Sequence, residues 1–473
     1  MKVLLINPAF NRYGGLQGHG GSMVPINLCY LAAYARKAHP DVEFKILDSE
    51  ILSLSHEETV REAEKFSPGL IGISANTCVF DSVINLSHQL KARLPKVPII
   101  IGGPHPSALP EGSLFESKAD FVGIGEGEIT FSELISHIKK RDNDWSKIDG
   151  IGYRNEYGEV KINPPRSLIK DLDIIPFPAR DFVDNNLYSP APTKRVSLGP
   201  NTLLTTSRGC PYNCGFCGAR TVWTRGIRTR STKNIIEEIE ECVGKYGIRS
   251  FNLTDEFFTA KKNRVLDICR AICERKFNIS WVCFARAQGL DKETLEAIKE
   301  AGCKELSFGI ESGNEEILKK IDKSLDLKEA ERVIRLTKKV GIKTHASYIM
   351  GYLNETEETM RDTIRLAKKL NTDIAAFFIA SPLPGTPFYH EALQKGYIRS
   401  NASWINYSPL SNQDSVLSMP DLNAEVIRKW HRKAIRSYYL RPSYMLRRLL
   451  ALRNWNEVKN LIEGLKLFFK IKK

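Results

Sequence analysis

Two series of short apolar runs, each alternating with helical patterns, constrain the fold of this 473-residue chain more than any other feature. In the first series the apolar runs lie at 2–7, 42–48, 70–74, 97–103 and 121–128, and the helical patterns at 26–38, 56–66, 81–94 and 130–140. Continuous apolar runs are typical of strands that are covered on both faces. Residues 1–141 are therefore predicted to form an α/β domain with a doubly wound parallel sheet.

The second series begins after residue 200. Its apolar runs lie at 203–207, 248–254, 279–285, 305–310, 343–349 and 373–380, separated by helical patterns such as 234–246 and 360–370. Six strand–helix units in succession predict a partial (β/α)6 barrel of the TIM type over residues 201–400. In such barrels, ligand-binding residues follow the carboxyl ends of the strands.

Two further segments complete the predicted organisation. Residues 142–200 are expected to be a connector, with a hairpin at 151–163 and an extended, proline-rich path at 164–192. Residues 401–473 are expected to form a helical C-terminal region. From residue 425 onward it has 14 basic and 3 acidic side chains, so it carries +11 of the chain's net charge of +14.

Apolar run lengths and cysteine usage narrow the class of protein. No run approaches the ~18–20 apolar residues of a transmembrane helix, and MKVLLINPAF leads directly into a strand-like segment without a signal-peptide cleavage site. We therefore expect a cytoplasmic protein. In a reducing compartment the ten cysteines are not expected to form disulfides, and seven of them are scattered along the chain.

The other three cysteines are clustered in the sequence TSRGCPYNCGFCGAR. Cys210, Cys214 and Cys217 have the spacing C-x3-C-x2-C, in the loop after the first barrel strand. Thiolates are the usual ligands of iron–sulfur clusters, and three of them leave the fourth iron of a cubane open to a substrate. A zinc site is the alternative. It needs a fourth ligand, which the next two dozen residues lack but which Cys242 or a distant histidine could supply.

This motif, with Phe216 before its last cysteine, resembles the signature of the radical SAM superfamily. The resemblance implies that the three thiolates hold a [4Fe–4S] cluster and that S-adenosyl-L-methionine (SAM) binds its open iron beside Phe216. Reductive cleavage of SAM would then yield methionine and a 5′-deoxyadenosyl radical. It also implies an electron donor such as ferredoxin or flavodoxin.

Two segments after later barrel strands agree with this resemblance. LTDEFFT (253–259) lies where the superfamily carries an acidic motif for the amino group of SAM, so Glu256 is the candidate, with Asp255 beside it. A surface acid at a strand end is the alternative. Arg286, after the third strand, is suited to a carboxylate or phosphate-like partner, or to a structural ion pair.

FGIESGNEEIL (308–318) resembles the GIES segment of the same family. The resemblance implies that Glu311 and Ser312 bind the ribose or methionine end of SAM, and that Gly309 permits a close backbone approach. Ser312 could also cap the following helix. SPLPGTPFY (381–389) is expected to border the pocket.

Three glycine-rich or small-residue segments of the first domain form a recognisable set: SANT (74–77), GGPHPSALPE (102–111) and GIGEGE (123–128). A Rossmann nucleotide loop would instead follow the first strand. In this order the segments resemble the cobalamin-binding domain that is fused to many radical SAM enzymes. The resemblance implies that small side chains and backbone donors hold the tail of cobalamin, at Ser74, Thr77, Gly102, Gly103 and Gly125.

The lower cobalt ligand of the best-known cobalamin domains is absent from this sequence. Their motif Asp-x-His-x-x-Gly is replaced by NPAFNRYGGLQGHGG, in which His19 has the wrong spacing. His105 lies in a turn and is interpreted as structural. Many members of the fused family lack this histidine, which implies a base-off cobalamin; an empty, degenerate domain is the alternative.

The basic C-terminal region has three interpretations: a helical subdomain that covers the barrel, an amphipathic helix at an anionic membrane surface, or an RNA-binding patch. We favour the first, with peripheral contact at the inner membrane face as the second. We do not expect nucleic acid, because the radical SAM tRNA methylthiotransferases carry three N-terminal cluster cysteines and a C-terminal OB-like domain. Here only Cys29 and Cys78 precede the motif.

Taken with both resemblances, the sequence predicts a cobalamin-dependent radical SAM enzyme that methylates an unactivated carbon of a small-molecule or lipid substrate. A cobalamin-assisted oxidation or cyclisation, as in the anaerobic magnesium-protoporphyrin ester cyclase, is the second hypothesis. A non-catalytic cobalamin or redox sensor is the third. No local motif identifies the substrate.

Overall fold

The computed structural model describes residues 1–10, 21–190, 199–408 and 415–450. The strands within these residues are β1 (Lys2–Asn7), β2 (Glu43–Asp48), β3 (Leu70–Ser74), β4 (Ile99–Gly102), β5 (Phe121–Gly123), β6 (Ile151–Arg154), β7 (Val160–Ile162), β8 (Asn201–Leu204), β9 (Ser207–Arg208), β10 (Arg228–Thr229), β11 (Ser250–Leu253), β12 (Ser280–Ala285), β13 (Cys303–Glu311), β14 (Lys343–Met350) and β15 (Ile374–Ile379).

The helices alternate with most of these strands. They are α1 (Ile26–Ala38), α2 (His56–Phe66), α3 (Phe80–Arg93), α4 (Pro104–Ala108), α5 (Pro110–Glu116), α6 (Gly127–Lys140), α7 (Thr232–Tyr246), α8 (Lys262–Arg275), α9 (Lys292–Glu300), α10 (Glu315–Lys320), α11 (Leu327–Val340), α12 (Glu357–Leu370), α13 (Pro387–Gln394), α14 (Ala424–Tyr439) and α15 (Pro442–Leu450).

The first sheet has the strand order β2-β1-β3-β4-β5-β6-β7. Strands β1 to β5 are parallel, which confirms the doubly wound sheet. The hairpin β6–β7 pairs antiparallel with β5 and so extends this sheet, instead of lying apart in the connector. The strand predicted over 121–128 is wrong in its second half. It ends at Gly123, because Gly125 turns the chain with φ +74° and α6 begins at Gly127.

Two hydrophobic cores cover the faces of this sheet. One lies under α1 and α6 and includes Leu28, Phe131 and Leu134; the other lies under α2 and α3 and includes Val60 and Phe80. The sheet is therefore buried on both faces, and only its edges and strand ends are open to ligands.

The second sheet has the order β15-β14-β13-β12-β11-β8, and all its pairs are parallel. Each strand of this sheet pairs with the strands that precede and follow it in the barrel series, as in a TIM barrel. The predicted six-stranded partial barrel is therefore confirmed. The first barrel strand differs from the prediction of 203–207. It spans 201–204, and residues 207–208 instead form β9, a short antiparallel ribbon with β10.

The C-terminal region covers the outer strand of the barrel. Ile427, Trp430 and Tyr438 of α14 are buried in the barrel core, and the Tyr439 hydroxyl donates to the carbonyl of Ala375 on β15 at 2.9 Å. Residues 451–473, the rest of the predicted helical tail, lie outside the described residues. No helix in the described part of the chain is both long enough and apolar enough to cross a bilayer.

Candidate active site

The loop that carries the three clustered cysteines follows β9, and it is held in place by backbone hydrogen bonds. The amide of Gly215 donates to the carbonyl of Ile321 at 2.8 Å, and its carbonyl accepts from Phe388 at 3.0 Å. The amide of Cys217 donates to the carbonyl of Cys214 at 3.0 Å. All three cysteines are half-buried free thiols. The loop therefore presents them on a fixed backbone that remains accessible.

Gly209, immediately before Cys210, is required by the shape of this loop. Its φ is +96°, and a Cβ atom there would lie 2.1 Å from the carbonyl oxygen of Gly226. No side chain fits that space. Its amide donates to the carboxylate of Glu256 at 3.1 Å, which ties the start of the cysteine loop to the end of β11.

The surroundings of the thiols bear on the two metal hypotheses. A zinc site needs ligands that converge on one ion, and among the described residues no group of three or more His, Cys, Asp or Glu is so arranged. Cys242, the proposed fourth zinc ligand, is instead buried in the barrel core. In a cubane each thiolate binds a different iron, so the sulfurs need not converge. Burial raises the pKa of Cys214 and Cys217, so bound iron must stabilise their thiolates.

The two acidic residues after β11 have different surroundings. Asp255 is fully buried, and its oxygens accept from the Thr206 amide at 2.7 Å and from the hydroxyls of Thr206 and Ser207. It therefore anchors the segment that leads into the cysteine loop. Glu256 is half-buried, and burial raises the pKa of its carboxyl group. Among the described residues it forms no ion pair, so it is the carboxylate free to meet an amino group.

Arg286 lies beside the same loop. Its guanidinium stands 3.5 Å from the ring centre of Tyr212 and donates to the carbonyl of Ser324. The side chain is only 7% exposed, its Nε is buried without a partner, and no carboxylate within the described residues pairs with it. The alternative of a structural ion pair is therefore not seen among the described residues. A buried guanidinium with an unsatisfied donor is suited to an anionic ligand.

Glu311 and Lys323 form a buried ion pair at 3.0 Å near Cys214. Glu311 has φ +69°, at a shift in the register between β13 and β14. Left-handed backbone is rare for a residue other than glycine, and such strain is concentrated at functional sites. A Cβ at Gly309 would lie 2.4 Å from Glu311 Oε1, so this glycine makes room for the ion pair.

Ser312 does not cap the next helix, so that alternative is wrong. Asn314 is the cap of α10, and its side chain accepts from the amides of Glu316 and Ile317. The Ser312 hydroxyl is buried and accepts from the Asn314 amide at 3.1 Å, because the chain makes one more turn before the helix begins.

The carboxyl edge of the first sheet is lined by glycines with contrasting surroundings. A Cβ at Gly102 or at Gly125 would meet no atom within 4 Å, so both positions face open space. At Gly103 the φ is +124° and a Cβ would lie 2.5 Å from the carbonyl oxygen of Ala75. Gly102 and Gly125 therefore leave room for a ligand close to the backbone, whereas Gly103 is required by the fold.

The other predicted residues of this edge are polar but already hydrogen-bonded. The Ser74 hydroxyl accepts from Asn27 at 2.8 Å, and the Thr77 hydroxyl lies 3.4 Å from Nδ1 of His105. His105 is fully buried and stacks on Phe80 at 3.9 Å between ring centres, in line with a structural role. His19 lies outside the described residues.

The two edges meet. A Cβ at Gly385, in the loop after β15, would lie 2.6 Å from Thr221 and 3.1 Å from Ala108. Thr221 ends the turn that follows Cys217, and Ala108 ends α4, which follows β4. The cysteine loop and the glycine edge therefore border one common region between the two sheets.

Sequence reasoning missed several charged residues of this region. Lys323 lies close enough to lower the pKa of Cys214 against the dominant effect of burial. Arg208 pairs with Glu126 at 2.7 Å and also with Glu128, and all three are buried. Both acids stand in GIGEGE, where two carboxylates in a glycine turn between apolar segments could have signalled a buried partner.

The residues present fit an iron–sulfur cluster and a ligand that lies close to the backbone of the first sheet. Three half-buried thiols on one loop suit a cubane with one open iron. The open spaces at Gly102 and Gly125 suit a ligand that lies against the backbone at the carboxyl edge of a doubly wound sheet.

Comparison with protein families matches two parts of the chain. Residues 204–367 match the radical SAM superfamily, and residues 18–135 match the B12 binding domain. An uncharacterized methyltransferase of Pyrococcus horikoshii is 33% identical over 452 residues, which cover 94% of this chain and 94% of that protein. The anaerobic magnesium-protoporphyrin IX monomethyl ester cyclase of Rubrivivax gelatinosus is 27% identical, over 88% of this chain and 74% of its own length.

Among solved structures, the radical SAM methyltransferase TsrM of Kitasatospora setae, with tryptophan and a SAM analogue bound, superposes with a TM-score of 0.70. The match covers 93% of this chain and 90% of that chain at 20% sequence identity, and it shows a common fold.

Proposed function

The chain belongs to the cobalamin-binding radical SAM enzymes, and from this membership we propose that it methylates an unactivated carbon of a small-molecule or lipid substrate. The observation that carries the proposal is the common region between the cysteine loop and the glycine edge, at Thr221, Ala108 and Gly385. A radical enzyme that uses two cofactors on one substrate needs both of them beside one cleft.

The cofactors are SAM, a [4Fe–4S] cluster and cobalamin. When bound, the reduced cluster cleaves SAM to a 5′-deoxyadenosyl radical, and cobalamin supplies the methyl group. We propose that Cys210, Cys214 and Cys217 hold the cluster, with Phe216 beside it.

Charged side chains around the cysteine loop would orient SAM. Glu256 has no cation of its own among the described residues, and burial raises the pKa of its carboxyl group; the amino group of SAM would supply a cation. Arg286 would take an anionic group, because its Nε is buried and unpartnered. Glu311 and Ser312 would contact the ribose or methionine end, where the strained backbone of Glu311 holds its carboxylate against Lys323.

On the first sheet, backbone and small side chains would hold the tail of cobalamin. Gly102 and Gly125 leave the space, and Ser74 at the end of β3 and Thr77 in the turn after it offer hydroxyls. Gly103 would act indirectly, since its backbone conformation sets the turn that follows β4.

The proposal is tested by anaerobic reconstitution with iron, sulfide and hydroxocobalamin, followed by desalting and reduction in the presence of SAM. We expect one cluster and one corrin per chain in the absorption spectrum, and both 5′-deoxyadenosine and S-adenosylhomocysteine among the products. A cluster with deoxyadenosine but no retained corrin would contradict the proposal and leave the first sheet as a scaffold.

A cyclisation or oxidation is the second candidate, because the Rubrivivax gelatinosus cyclase aligns with 88% of this chain. The products distinguish the two. Methyl transfer leaves S-adenosylhomocysteine, whereas cyclisation leaves deoxyadenosine without it. A sensor would consume no SAM with any reductant.

We also propose peripheral contact with the inner face of an anionic membrane, through the end of the described C-terminal region. Leu440, Met445, Leu446 and Leu450 are 51–76% exposed there, and the region from residue 425 carries a net charge of +11. Exposed apolar side chains among basic residues suit an anionic lipid surface. Such contact would also bring the enzyme to a lipid substrate.

Sedimentation with vesicles tests the contact. We expect binding to phosphatidylglycerol vesicles, weak binding to phosphatidylcholine vesicles, and loss of binding in Met445→Ser/Leu446→Ser. Leu393→Ser is the matched control, since Leu393 is 55% exposed but belongs to α13 and not to the C-terminal region. Equal binding by both variants would contradict the proposal.

We propose that the electron donor is a small acidic redox protein such as ferredoxin or flavodoxin, because the chain carries a net charge of +14, of which +11 lies from residue 425 onward. Reduction of the cluster by flavodoxin should slow as salt is raised. A rate that does not depend on salt would contradict electrostatic docking.

A further inference from the structure

A buried ion pair joins the two cofactor edges directly. Arg208, two residues before Cys210, donates from Nη1 to Glu126 at 2.7 Å and from Nη2 to Glu128. The side chains of all three residues are at most 7% exposed. Both acids flank Gly127, next to the open glycine position at Gly125. One guanidinium therefore links the base of the cysteine loop to the turn proposed to hold cobalamin.

A second arginine strengthens the link. Arg228 pairs with Arg208 in the antiparallel register of β9 and β10, and it also donates to Glu126 at 2.9 Å. The cysteine loop extends between these two short strands. Glu126 therefore holds both strands of the ribbon from which the loop projects. Its side chain takes no part in capping α6, although it occupies the cap position.

Aromatic rings fix the orientation of the Arg208 guanidinium. Its central carbon stands 5.1 Å from the ring centre of Trp223, which follows the cysteine loop, and 5.6 Å from that of Tyr30 on α1 of the first sheet. A planar fork held by two carboxylates and two rings has one orientation, which a lysine ammonium could not reproduce.

Stability alone does not explain such a network. Replacement of a buried ion pair by apolar side chains is often neutral or stabilising, because the desolvation of both charges offsets their attraction. What a two-carboxylate fork provides is defined geometry between the elements that carry it.

We propose that the Arg208–Glu126–Glu128 bridge is a positioning device that holds the Gly125 turn at a fixed distance and angle from the cysteine loop. The inference rests on the proposed function, in which SAM at the loop would donate a methyl group to cobalamin at the turn and leave as S-adenosylhomocysteine. Arg208 touches neither cofactor in this role. It acts by keeping the two binding edges in register.

Two charge-balanced variants test the bridge. Arg208→Met/Glu128→Gln removes it and leaves Glu126 paired with Arg228. Arg180→Met is the matched control: it removes an arginine that is equally buried and pairs with Glu238 at 2.6 Å, and it leaves Glu238 paired with Arg230. Arg208→Lys keeps the charge and loses the fork, and it serves if the double variant does not fold.

The first readout is hydrogen exchange of the protein without cofactors. We expect faster exchange in peptides that cover 123–130 and 205–212 for the double variant, a smaller increase for Arg208→Lys, and no change there for Arg180→Met. Unchanged exchange in the double variant, or the same increase in the control, would overturn the proposal.

The second readout uses the reconstituted enzyme with titanium(III) citrate and SAM. Iron and corrin contents should match the wild type, while the ratio of S-adenosylhomocysteine to deoxyadenosine falls about tenfold to a hundredfold, as expected for a misplacement of about 1 Å. An unchanged ratio, or loss of corrin, would overturn the positioning role. If the wild type itself forms no S-adenosylhomocysteine, methyl transfer fails as the function, and the exchange experiment alone decides the bridge.

Discussion

At the carboxyl edge of the first sheet, the positions that face open space are glycines, whereas the corresponding edge of the barrel presents thiols and charged side chains. Gly102 and Gly125 contribute room, and Cys214, Glu256 and Arg286 contribute chemical groups. A change on the barrel edge should therefore remove a ligand. A change on the glycine edge should fill a space.

The largest effect is expected at the cysteine loop. Cys214→Ala removes one ligand of a three-ligand cluster, so cluster absorbance and deoxyadenosine formation should be lost completely, while corrin binding persists. Iron content and the absorption spectrum measure this. Cys273→Ala, another half-buried thiol but on α8, should keep the cluster. A full cluster in Cys214→Ala would exclude the assignment of ligands.

Gly102→Leu should impair cobalamin binding at the carboxyl edge of the first sheet. The new side chain would enter space that is open in the protein alone and would compete with the corrin tail. Overpacking of about 1–3 kcal/mol lowers cobalamin affinity about fivefold to 150-fold. Corrin retained after desalting measures this loss, and iron content should not change.

Gly103→Ala is the matched control for that variant. Its backbone has φ +124° and its Cβ would meet the Ala75 carbonyl, so it should destabilise the fold by roughly 1–3 kcal/mol. The unfolding temperature should fall for Gly103→Ala and stay nearly constant for Gly102→Leu. The reverse pattern would contradict the division between open and structural glycines.

Glu256→Gln should have a smaller effect, which is confined to the affinity for SAM. Loss of a hydrogen bond to a charged group costs about 1.5–3 kcal/mol, so SAM binding should weaken about tenfold to a hundredfold. Equilibrium dialysis with the cluster-loaded protein measures the affinity. Glu293→Gln, an exposed carboxylate on α9, should leave it unchanged. Unaltered binding in Glu256→Gln would remove this residue from the SAM site.

The two regions should also differ in how their stability depends on pH. Burial raises the pKa of Glu355 in the barrel to about 7, so its contribution to stability is full below pH 4.5 and is lost as the pH rises toward 7. Burial lowers the pKa of His56 beside the first sheet to about 4, so its contribution is full above pH 6.5 and is lost as the pH falls toward 4.

Urea unfolding of the wild type, Glu355→Gln and His56→Gln from pH 5 to pH 8 measures both slopes. The free energy of unfolding of the wild type minus that of Glu355→Gln should fall by up to roughly 3 kcal/mol as the pH rises over this range. The same difference for His56→Gln should rise with pH. Slopes of the same sign would show that burial does not control the pKa values of these two groups.

Local patterns in the sequence predicted the elements whose residues are close along the chain. The spacing of Cys210, Cys214 and Cys217 and the alternation of strands and helices are of this kind, and the two sheets follow from them. The Arg208–Glu126 pair spans 82 residues and two domains, and no local pattern reports such a contact.

The roles of single residues at the barrel edge could not be predicted from local sequence patterns either. Ser312 and Asn314 are both good helix caps, and only the extra turn after β13 selects Asn314. Gly309 indicated a close approach, but what approaches is the Glu311–Lys323 ion pair, and Lys323 lies fourteen positions later, after α10.

The central claim is that a cluster and a cobalamin bind on facing edges of one cleft, and anomalous diffraction at the iron and cobalt edges from crystals of the reconstituted protein tests it most directly. We expect iron at Cys210, Cys214 and Cys217 and cobalt over the carboxyl ends of β3, β4 and β5, on the side that faces the cysteine loop. Cobalt bound elsewhere, or iron without cobalt in protein saturated with cobalamin, would contradict the claim.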